Sequence, residues 1–385
     1  MKVAFINSQC AGSTGSICSS IANYLVEQGH ECRIFYGRFE NKNNPAIYFG
    51  GSVVRNFINN LLAYFTGRVG EFHTAATKRL IKELTKFNPD VIHLNNLHGN
   101  YINIKILFKY LAHFDGEVVM TLHDQYMMTG HCAISYSCEG FKTGCKKCPH
   151  HEFYPHVLLY RGRRLLKKKE EYLSAIKNLK IVSPSEWLNE LTNYTFLAKY
   201  PRFVINNGIN LPVSVSKNNQ HKMKVKLLFV ASPWASYKGP NDIVDLSKKL
   251  DLNKYELVVV GRLDNSFKKF PENVTYLGQL SQEELSKIYD ECDIFVDPTY
   301  QDNFPTVLLE AMAHGLPCIA YDTGGCKEIV TNEVGIIVKE RNSDALFKAI
   351  TNFDMSKFDT MKIQDKAKKY TKTIMAEKYF ELYKN

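Results

Sequence analysis

The sequence has no apolar run approaching the ~18 residues that a membrane-spanning helix needs. Its first residues, Met1 to Ser8, carry too short an apolar stretch for a signal peptide. These absences predict a cytosolic chain, at most peripheral on the cytoplasmic face of a membrane. There is no short-period repeat, and the only biased stretch is the polar segment Ser214–Lys224. The dinucleotide fingerprint G-x-G-x-x-G is missing, which counts against an oxidoreductase. A disorder-type composition is missing too: apolar residues make up 45% and charged residues 23%, as in globular proteins.

What is present begins with length and charge. A chain of 385 residues exceeds what one hydrophobic core usually serves, so two domains are expected. The formal net charge of +10 suits acidic ligands such as nucleotides, or an anionic membrane surface. Ten cysteines in a cytosolic chain should be reduced or metal-bound, not disulfide-linked.

Short β-rich runs alternate with longer helical patterns. Val3–Asn7, Glu31–Tyr36, Val91–Leu94, Glu117–Leu122 and Lys180–Pro184 read as strands; Ile17–Gln28, Phe57–Phe87 and Tyr101–Leu111 read as helices. The pattern restarts with strands at Lys226–Ala231, Glu256–Val260, Val274–Leu277, Ile294–Val296 and Cys318–Ala320. Helices fill the gaps at Asn241–Leu250, Ser281–Cys292 and Thr306–His314. Such alternation predicts an α/β fold of two Rossmann-like parallel-sheet domains. The polar segment at 214 places the domains at 1–213 and 214–365. The helical pattern from Met361 to Tyr383 predicts one long helix, with 366–385 packing back on the first domain.

The segment Asp297 to Pro317 carries the most chemistry. A strand ends near Asp297, Asn303 suits an N-cap, and Pro305 suits a first helical turn. The N–H groups of that turn would face the C-terminal edge of the sheet, an anion site where open α/β sheets bind ligands. Asn303, Val307 and Glu310 share one helical face, and Asn303 and Glu310 stand roughly 10 Å apart. That is about the reach from a sugar diphosphate to a ribose, whose hydroxyls a carboxylate can accept. From spacing alone, a buried helix with one solvated glutamate and one loop aspartate is somewhat better served.

With its flanks, Asn303-Phe-Pro-Thr-Val-Leu-Leu-Glu-Ala-Met-Ala-His-Gly-Leu-Pro317, the stretch from Asp302 to Glu310 resembles the E-x7-E motif of family 4 of the retaining GT-B glycosyltransferases. The resemblance covers nearly the whole chain and implies a GT-B fold, two Rossmann-like domains facing across a cleft. It implies that Asp302 binds hydroxyls of the transferred sugar. Asn303, Phe304, Pro305 and Thr306 would hold sugar and phosphate through loop amides, and Glu310 the donor ribose. Asp302 stands where Glu is usual. Lys238, before Gly239, matches the phosphate-binding lysine, whereas Ser232 and Pro233 replace the family's Gly-Arg. Arg262 is the candidate replacement cation. Gly278 falls where the backbone meets the base. Val182–Leu188 and Asn207–Asn210 also resemble family signatures that shape turns.

In the first domain, Gly12-Ser-Thr-Gly15-Ser16 could offer backbone N–H groups to a phosphate, or be a plain tight turn. His123 ends a strand; by resemblance it lies beside the donor sugar, and otherwise it bonds Asp124. His123, Asp302 and Lys238 are thus the candidate catalytic residues. The implied reaction is front-face displacement with retention and with no catalytic metal. Stabilisation of the departing diphosphate would then contribute most to the rate. Pro89 to Asn100 resembles a subfamily of bacterial exopolysaccharide and O-antigen assembly, with Asn95 where His is common; His93 and His98 either line the acceptor side or pack a turn.

Cys132, Cys138, Cys145 and Cys148 are spaced C-x5-C-x6-C-x2-C within a cysteine-rich insertion at 130–151, with His150 and His151 following. They fit a structural zinc site, or reduced thiols tightening a loop. Arg161 to Lys169, with Leu165 and Leu166, could lie on an anionic membrane, or be a solvated helix face. The stretch Phe57 to Phe65 is a second membrane-contact candidate. The expected partners are a nucleotide-sugar donor and a saccharide or lipid-linked oligosaccharide acceptor, with no nucleic acid. A sugar-nucleotide epimerase of the same fold and a non-catalytic nucleotide-sugar-binding module are the alternatives.

Overall fold

The computed structural model describes residues 1–41, 43–136, 138–148, 150–215 and 223–384. Most of the expected linker therefore lies outside the described residues. The chain forms two compact units, Met1–Asn206 with Lys372–Asn385, and Asn207–Thr371. The sequence pattern puts these boundaries at 213/214 and 365/366. The first moves because Asn207 Nδ2 donates to the Phe304 carbonyl at 3.3 Å and Ile209 pairs with Thr371, which draws 207–213 into the second unit.

The first unit is built on a seven-stranded parallel sheet: β1 (Lys2–Asn7), β2 (Glu31–Tyr36), β3 (Ile47–Tyr48), β4 (Val91–Leu94), β5 (Glu117–Thr121), β6 (Leu179–Ser183) and β7 (Arg202–Val204). Their order is β3-β2-β1-β4-β5-β6-β7. The second unit has β8 (Val225–Val230), β9 (Tyr255–Val260), β10 (Thr275–Tyr276), β11 (Ile294–Asp297), β12 (Cys318–Tyr321) and β13 (Gly335–Val338), ordered β10-β9-β8-β11-β12-β13. Both orders reverse direction beside the first strand of the unit, the arrangement of a Rossmann sheet. Central strands such as Val3–Ile6 and Leu227–Val230 are apolar throughout because helices cover both faces. In the first unit Leu80, Leu84 and Phe108 pack on one face, and Ile17, Ile21 and Leu25 on the other.

Two expected helices are broken. The pattern Phe57–Phe87 splits into helices Val53–Thr66 and Thr74–Phe87, because Gly67 takes a left-handed conformation (φ 64°) as C-cap. The C-terminal pattern splits into Thr360–Ala367, a 3₁₀ turn Lys368–Tyr370 and Lys372–Lys384, with Thr371 extended (ψ 155°). The first piece packs on the helix Thr306–Ala313, in the second unit. The last piece packs on the helix Gly12–Glu27, in the first, where Met375, Tyr379 and Leu382 fill the sheet face beside Val3 and Phe5. Among the described residues no helix is long and apolar enough to cross a membrane.

Candidate active site

In the second unit, the loops after β8 and β11 meet. A 3₁₀ turn, Ser236–Lys238, presents Lys238 and ends at Gly239 with φ 72°. A Cβ on Gly239 would lie 2.2 Å from the Pro298 carbonyl oxygen, so the turn and the loop after β11 are in backbone contact. The Tyr300 N–H also donates to the Tyr237 carbonyl at 2.8 Å. This contact sets Lys238 Nζ 2.5 Å from Asp302 Oδ2, both side chains mostly buried. Burial alone would lower the lysine's pKa. Asp302 and Asp297 more than offset it and hold the ammonium above the ordinary lysine value.

Asp297 ends β11 and is buried. Burial pushes its carboxyl up, against the pull of Lys238. One of its oxygens accepts from Thr299; the other, Oδ2, has no hydrogen-bond partner among the described residues. Nothing in the sequence pattern singles out Asp297 as more than the end of a strand.

The loop from Asp302 to Thr306 differs from expectation. The helix runs Thr306–Ala313 with Pro305, not Asn303, at the N-cap, and no side-chain cap. Asn303 therefore precedes the helix and does not share the face of Val307 and Glu310. Asp302 Oδ1 accepts the Phe304 N–H at 3.1 Å, so that amide is committed to the loop itself. The Phe304 ring is buried and packs at 5.7 Å from Tyr370. Pro305 has no N–H to offer, which leaves the first helical turn from Thr306 as the anion-facing end. The Asp302 carbonyl rests on Gly324 (φ 51°), where a Cβ would lie 1.7 Å from that oxygen.

Glu310 sits one helix turn deeper. The Tyr289 hydroxyl donates to its Oε2 at 3.3 Å, and burial followed by Glu310 pushes the Tyr289 phenol far up. The two residues line a cavity of about 540 Å³ with Asn210, Ser286, Asp290 and His314. His314 is fixed by Asp290 at 2.7 Å and stacks on Tyr289 at 5.1 Å. Lys238, Asp302, Arg262 and Gly278 are not among the lining residues. Arg262 is exposed, and its carbonyl accepts from the Trp234 N–H. Gly278 (φ 69°) accepts the Gly261 N–H at 2.7 Å. Tyr289 carries no signal in the sequence, because a buried tyrosine on an amphipathic helix reads as core.

In the first unit, the helix Gly12–Glu27 starts right after β1 with no side-chain cap at Ala11. Gly15 is needed there: a Cβ would lie 2.6 Å from the Cys10 carbonyl carbon. Ser16 Oγ accepts from Lys372 Nζ at 3.1 Å. Asn7 Nδ2 donates to Thr14 Oγ1, and Asn7 Oδ1 accepts the Asn96 N–H at 3.2 Å. Next to Asn96, Asn95 Oδ1 lies 2.9 Å from His123 Nε2. A run of asparagines thus joins the start of this helix to His123. Burial, with His98 adding to it, pushes the His123 pKa down to about 4, so the ring is neutral near pH 7.

Two further histidines have partners within the chain. His93 is in the core, bonded to Thr121 and Tyr383 at 2.7 Å each. His98 pairs with Asp124, at 3.2 Å. His98 fits the turn-packing alternative, whereas His93 is a core residue of β4.

Cys132, Cys138, Cys145 and Cys148 all line one cavity of about 20 Å³. The Gly140 N–H faces Cys138 Sγ at 3.4 Å and the Gly130 N–H faces Cys145 Sγ at 3.2 Å. Burial, then the other three cysteines, pushes the Cys132 thiol up to about 12. The donor chemistry is that of a structural zinc site. Yet among the described residues no three histidine, cysteine or acidic side chains are gathered so as to hold a metal ion. His150 and His151 stack instead on Phe153 and Tyr160. Lys169, expected on the basic surface, is buried, its Nζ donating to the carbonyls of Tyr126 at 2.5 Å and Thr129 at 3.1 Å. Burial pushes its pKa down to about 7, with Cys145 and Asp124 opposing. Leu165 and Leu166 are buried too, so neither touches a membrane.

Residues 15–212 match the family described as Glycosyltransferase Family 4, and residues 214–373 match Glycosyl transferases group 1. The chain belongs to glycosyltransferase family 4. It is therefore an enzyme that transfers glycosyl groups. This family 4 glycosyltransferase is 27% identical over 322 residues to WcaC of Escherichia coli K12, a glycosyl transferase assigned to colanic acid biosynthesis, covering 77% of this chain and 76% of that one. It is 29% identical over 177 residues to the N,N'-diacetylbacillosaminyl-diphospho-undecaprenol alpha-1,3-N-acetylgalactosaminyltransferase of Campylobacter jejuni, covering 43% of this chain and 46% of that one. Among solved structures it resembles Anabaena Alr3699/HepE in complex with UDP-glucose, with TM-score 0.68 at 13% identity over 100% of this chain and 99% of that one. Structural likeness of this kind identifies the fold as GT-B.

Proposed function

We propose that this enzyme transfers a sugar, with retention, from a nucleotide-sugar donor to a glycan or lipid-linked saccharide in bacterial surface-polysaccharide biosynthesis. The observation that carries the reading is the Lys238–Asp302 pair at the foot of the helix Thr306–Ala313, with Glu310 in the adjoining cavity. A relative assigned to colanic acid and one named for an undecaprenol-linked acceptor support the pathway and the acceptor class. The complex of Alr3699/HepE with UDP-glucose supports the donor class.

In this reading the bond between C1 and the diphosphate oxygen breaks while the acceptor oxygen attacks C1 from the same face, and the acceptor hydroxyl proton passes to the departing diphosphate oxygen. The diphosphate gains charge, which the Lys238 ammonium and the first-turn N–H groups stabilise, with no catalytic metal assigned. Asp302 orients sugar hydroxyls, Glu310 accepts from the ribose, and neutral His123 donates or accepts a hydrogen bond without carrying charge. Gly15 and Ser16 are proposed to bind phosphate. Arg262 and Gly278 are proposed for the diphosphate and the base.

The test is release of nucleoside diphosphate from a panel of nucleotide sugars, with and without lipid-linked acceptor, with product anomeric configuration read by NMR. Release that needs an acceptor supports transfer, and release without one favours an epimerase. A chain that no nucleoside diphosphate stabilises against heat is a non-catalytic module or takes another ligand, and this proposal fails. Glu310→Ala should weaken donor binding by about 10-fold or more, as loss of a charged hydrogen-bonding group does; an unchanged Kd removes Glu310 from the site. Structural zinc is proposed for the four cysteines as well, and requires that the loop tighten around the ion. Metal analysis finding stoichiometric zinc that is lost in Cys138→Ser supports it, and a metal-free protein with four titrating thiols refutes it.

A further inference from the structure

We propose that the helix Val53–Thr66 and the basic trough at its C-terminal end form one docking surface for an anionic lipid bilayer. A surface helix of a soluble protein normally turns its apolar stripe inward. This one does the reverse. Its inner side is Asn56, Asn59 and Ala63, with Asn56 Nδ2 donating to the Gly51 carbonyl at 3.1 Å. Its outer side is Val54, Phe57, Ile58, Leu61, Leu62 and Phe65, each between 43% and 69% exposed. The helix carries no acidic residue.

The ridge continues beyond the helix. The Leu158 N–H donates to the Tyr64 carbonyl at 2.8 Å, and Leu158 and Leu159 are about half exposed. Gly67 lies against the Leu159 carbonyl, where no Cβ would fit. Next, Arg161 Nε donates to the Thr66 carbonyl at 2.7 Å, tying the start of the basic segment to the end of the helix. There an open trough of about 680 Å³ is lined by Lys146, Arg161, Arg163, Arg164, Lys167 and Lys168, against the single acid Glu171. Another acid that reaches these cations, Glu71, is already held by Arg68 and Lys168.

An apolar ridge beside excess positive charge matches the layering of a bilayer surface. Acyl chains and glycerol take the ridge, and anionic headgroups take the cations. A second copy of this chain fits less well, because a two-fold contact on this face would bring its cations toward these. The surface belongs wholly to the first unit and rests on nothing assigned to Lys238, Asp302 or Glu310.

The test is co-sedimentation of the full chain with phosphatidylcholine vesicles, with and without phosphatidylglycerol. The protein should pellet with the anionic vesicles and be released by salt, which shortens the Debye length to ~3 Å at 1 M. Arg163→Gln with Lys167→Gln should weaken partitioning by roughly five-fold per cation. Phe57→Ser with Leu61→Ser should abolish it. These positions are exposed, so both double variants should keep the parent's thermal midpoint and nucleotide affinity. Equal pelleting with neutral and anionic vesicles, or none with either, overturns the proposal. So does a concentration-dependent dimer, lost in Phe57→Ser with Leu61→Ser, in a protein that ignores vesicles; that result would assign the face to self-association.

Discussion

Asp302 has two tasks before any substrate arrives. One oxygen pairs with Lys238 and the other fixes the loop by accepting the Phe304 N–H. Asp302→Asn keeps the shape and removes the charge, so the loop should hold while the lysine loses its partner. We expect kcat to fall ~10²- to 10³-fold, the scale of losing one electrostatic stabiliser, with a thermal midpoint near the parent's; equal loss of both would make Asp302 a folding residue only. Histidines add a pH dependence. The His123 and His93 pKa values are pushed by burial to about 4 and about 3, below the ordinary 6.5. Both contribute stability that is present in full above pH 6.5 and is lost as pH falls toward 4. Urea midpoints between pH 7 and pH 4.5 should drop steeply, and less so in His123→Asn. At this scale the sequence is half legible. Asp302 and Glu310 stand out because their spacing and flanks are local. The Lys238–Asp302 contact spans 64 positions, and neither Asp297 nor Tyr289 belongs to any local pattern.

Elements are more legible than residues. The buried runs Val3–Ile6 and Leu227–Val230 are apolar throughout because both faces are covered, and this marks β1 and β8 directly. The edge strand β3, only two residues long, has no such signature. The helix Thr306–Ala313 starts where the sequence pattern puts it, but its cap is misread: Pro305, which suits a first turn, is the N-cap, and the Asp302–Phe304 turn holds Asn303 outside the helix. Glycine placement decides this region. Gly324→Ala would set a Cβ 1.7 Å from the Asp302 carbonyl oxygen. It should cost about 2 kcal/mol or more and reduce donor affinity together with stability. Gly29→Ala, at φ 81° in open space, should cost only about 1 kcal/mol. Similar losses at both positions, read by urea unfolding, would mean that the Asp302 loop simply moves aside.

At the scale of the whole molecule, the last helix completes the first unit. Tyr383 and Tyr379 reach the sheet there, bonding to His93 at 2.7 Å and Thr121 at 2.9 Å. Tyr383→Phe leaves a buried ring nitrogen without its partner, and should cost about 1–3 kcal/mol, read by urea unfolding; a neutral effect would mean that water replaces the hydroxyl. The sequence indicates a C-terminal helix, and its apolar residues need a partner. It does not indicate the break at Thr371, which depends on pairing with Ile209. The second unit is therefore threaded, in chain order, between the two parts of the first. During synthesis the first unit emerges earliest and is finished last. At about 5–20 residues per second, the sheet face around Val3 and Phe5 waits on the order of ten seconds for Tyr379 and Leu382 to cover it. In that interval the continuous second unit can fold alone, while the nascent first unit is a ready client for a chaperone at the ribosome.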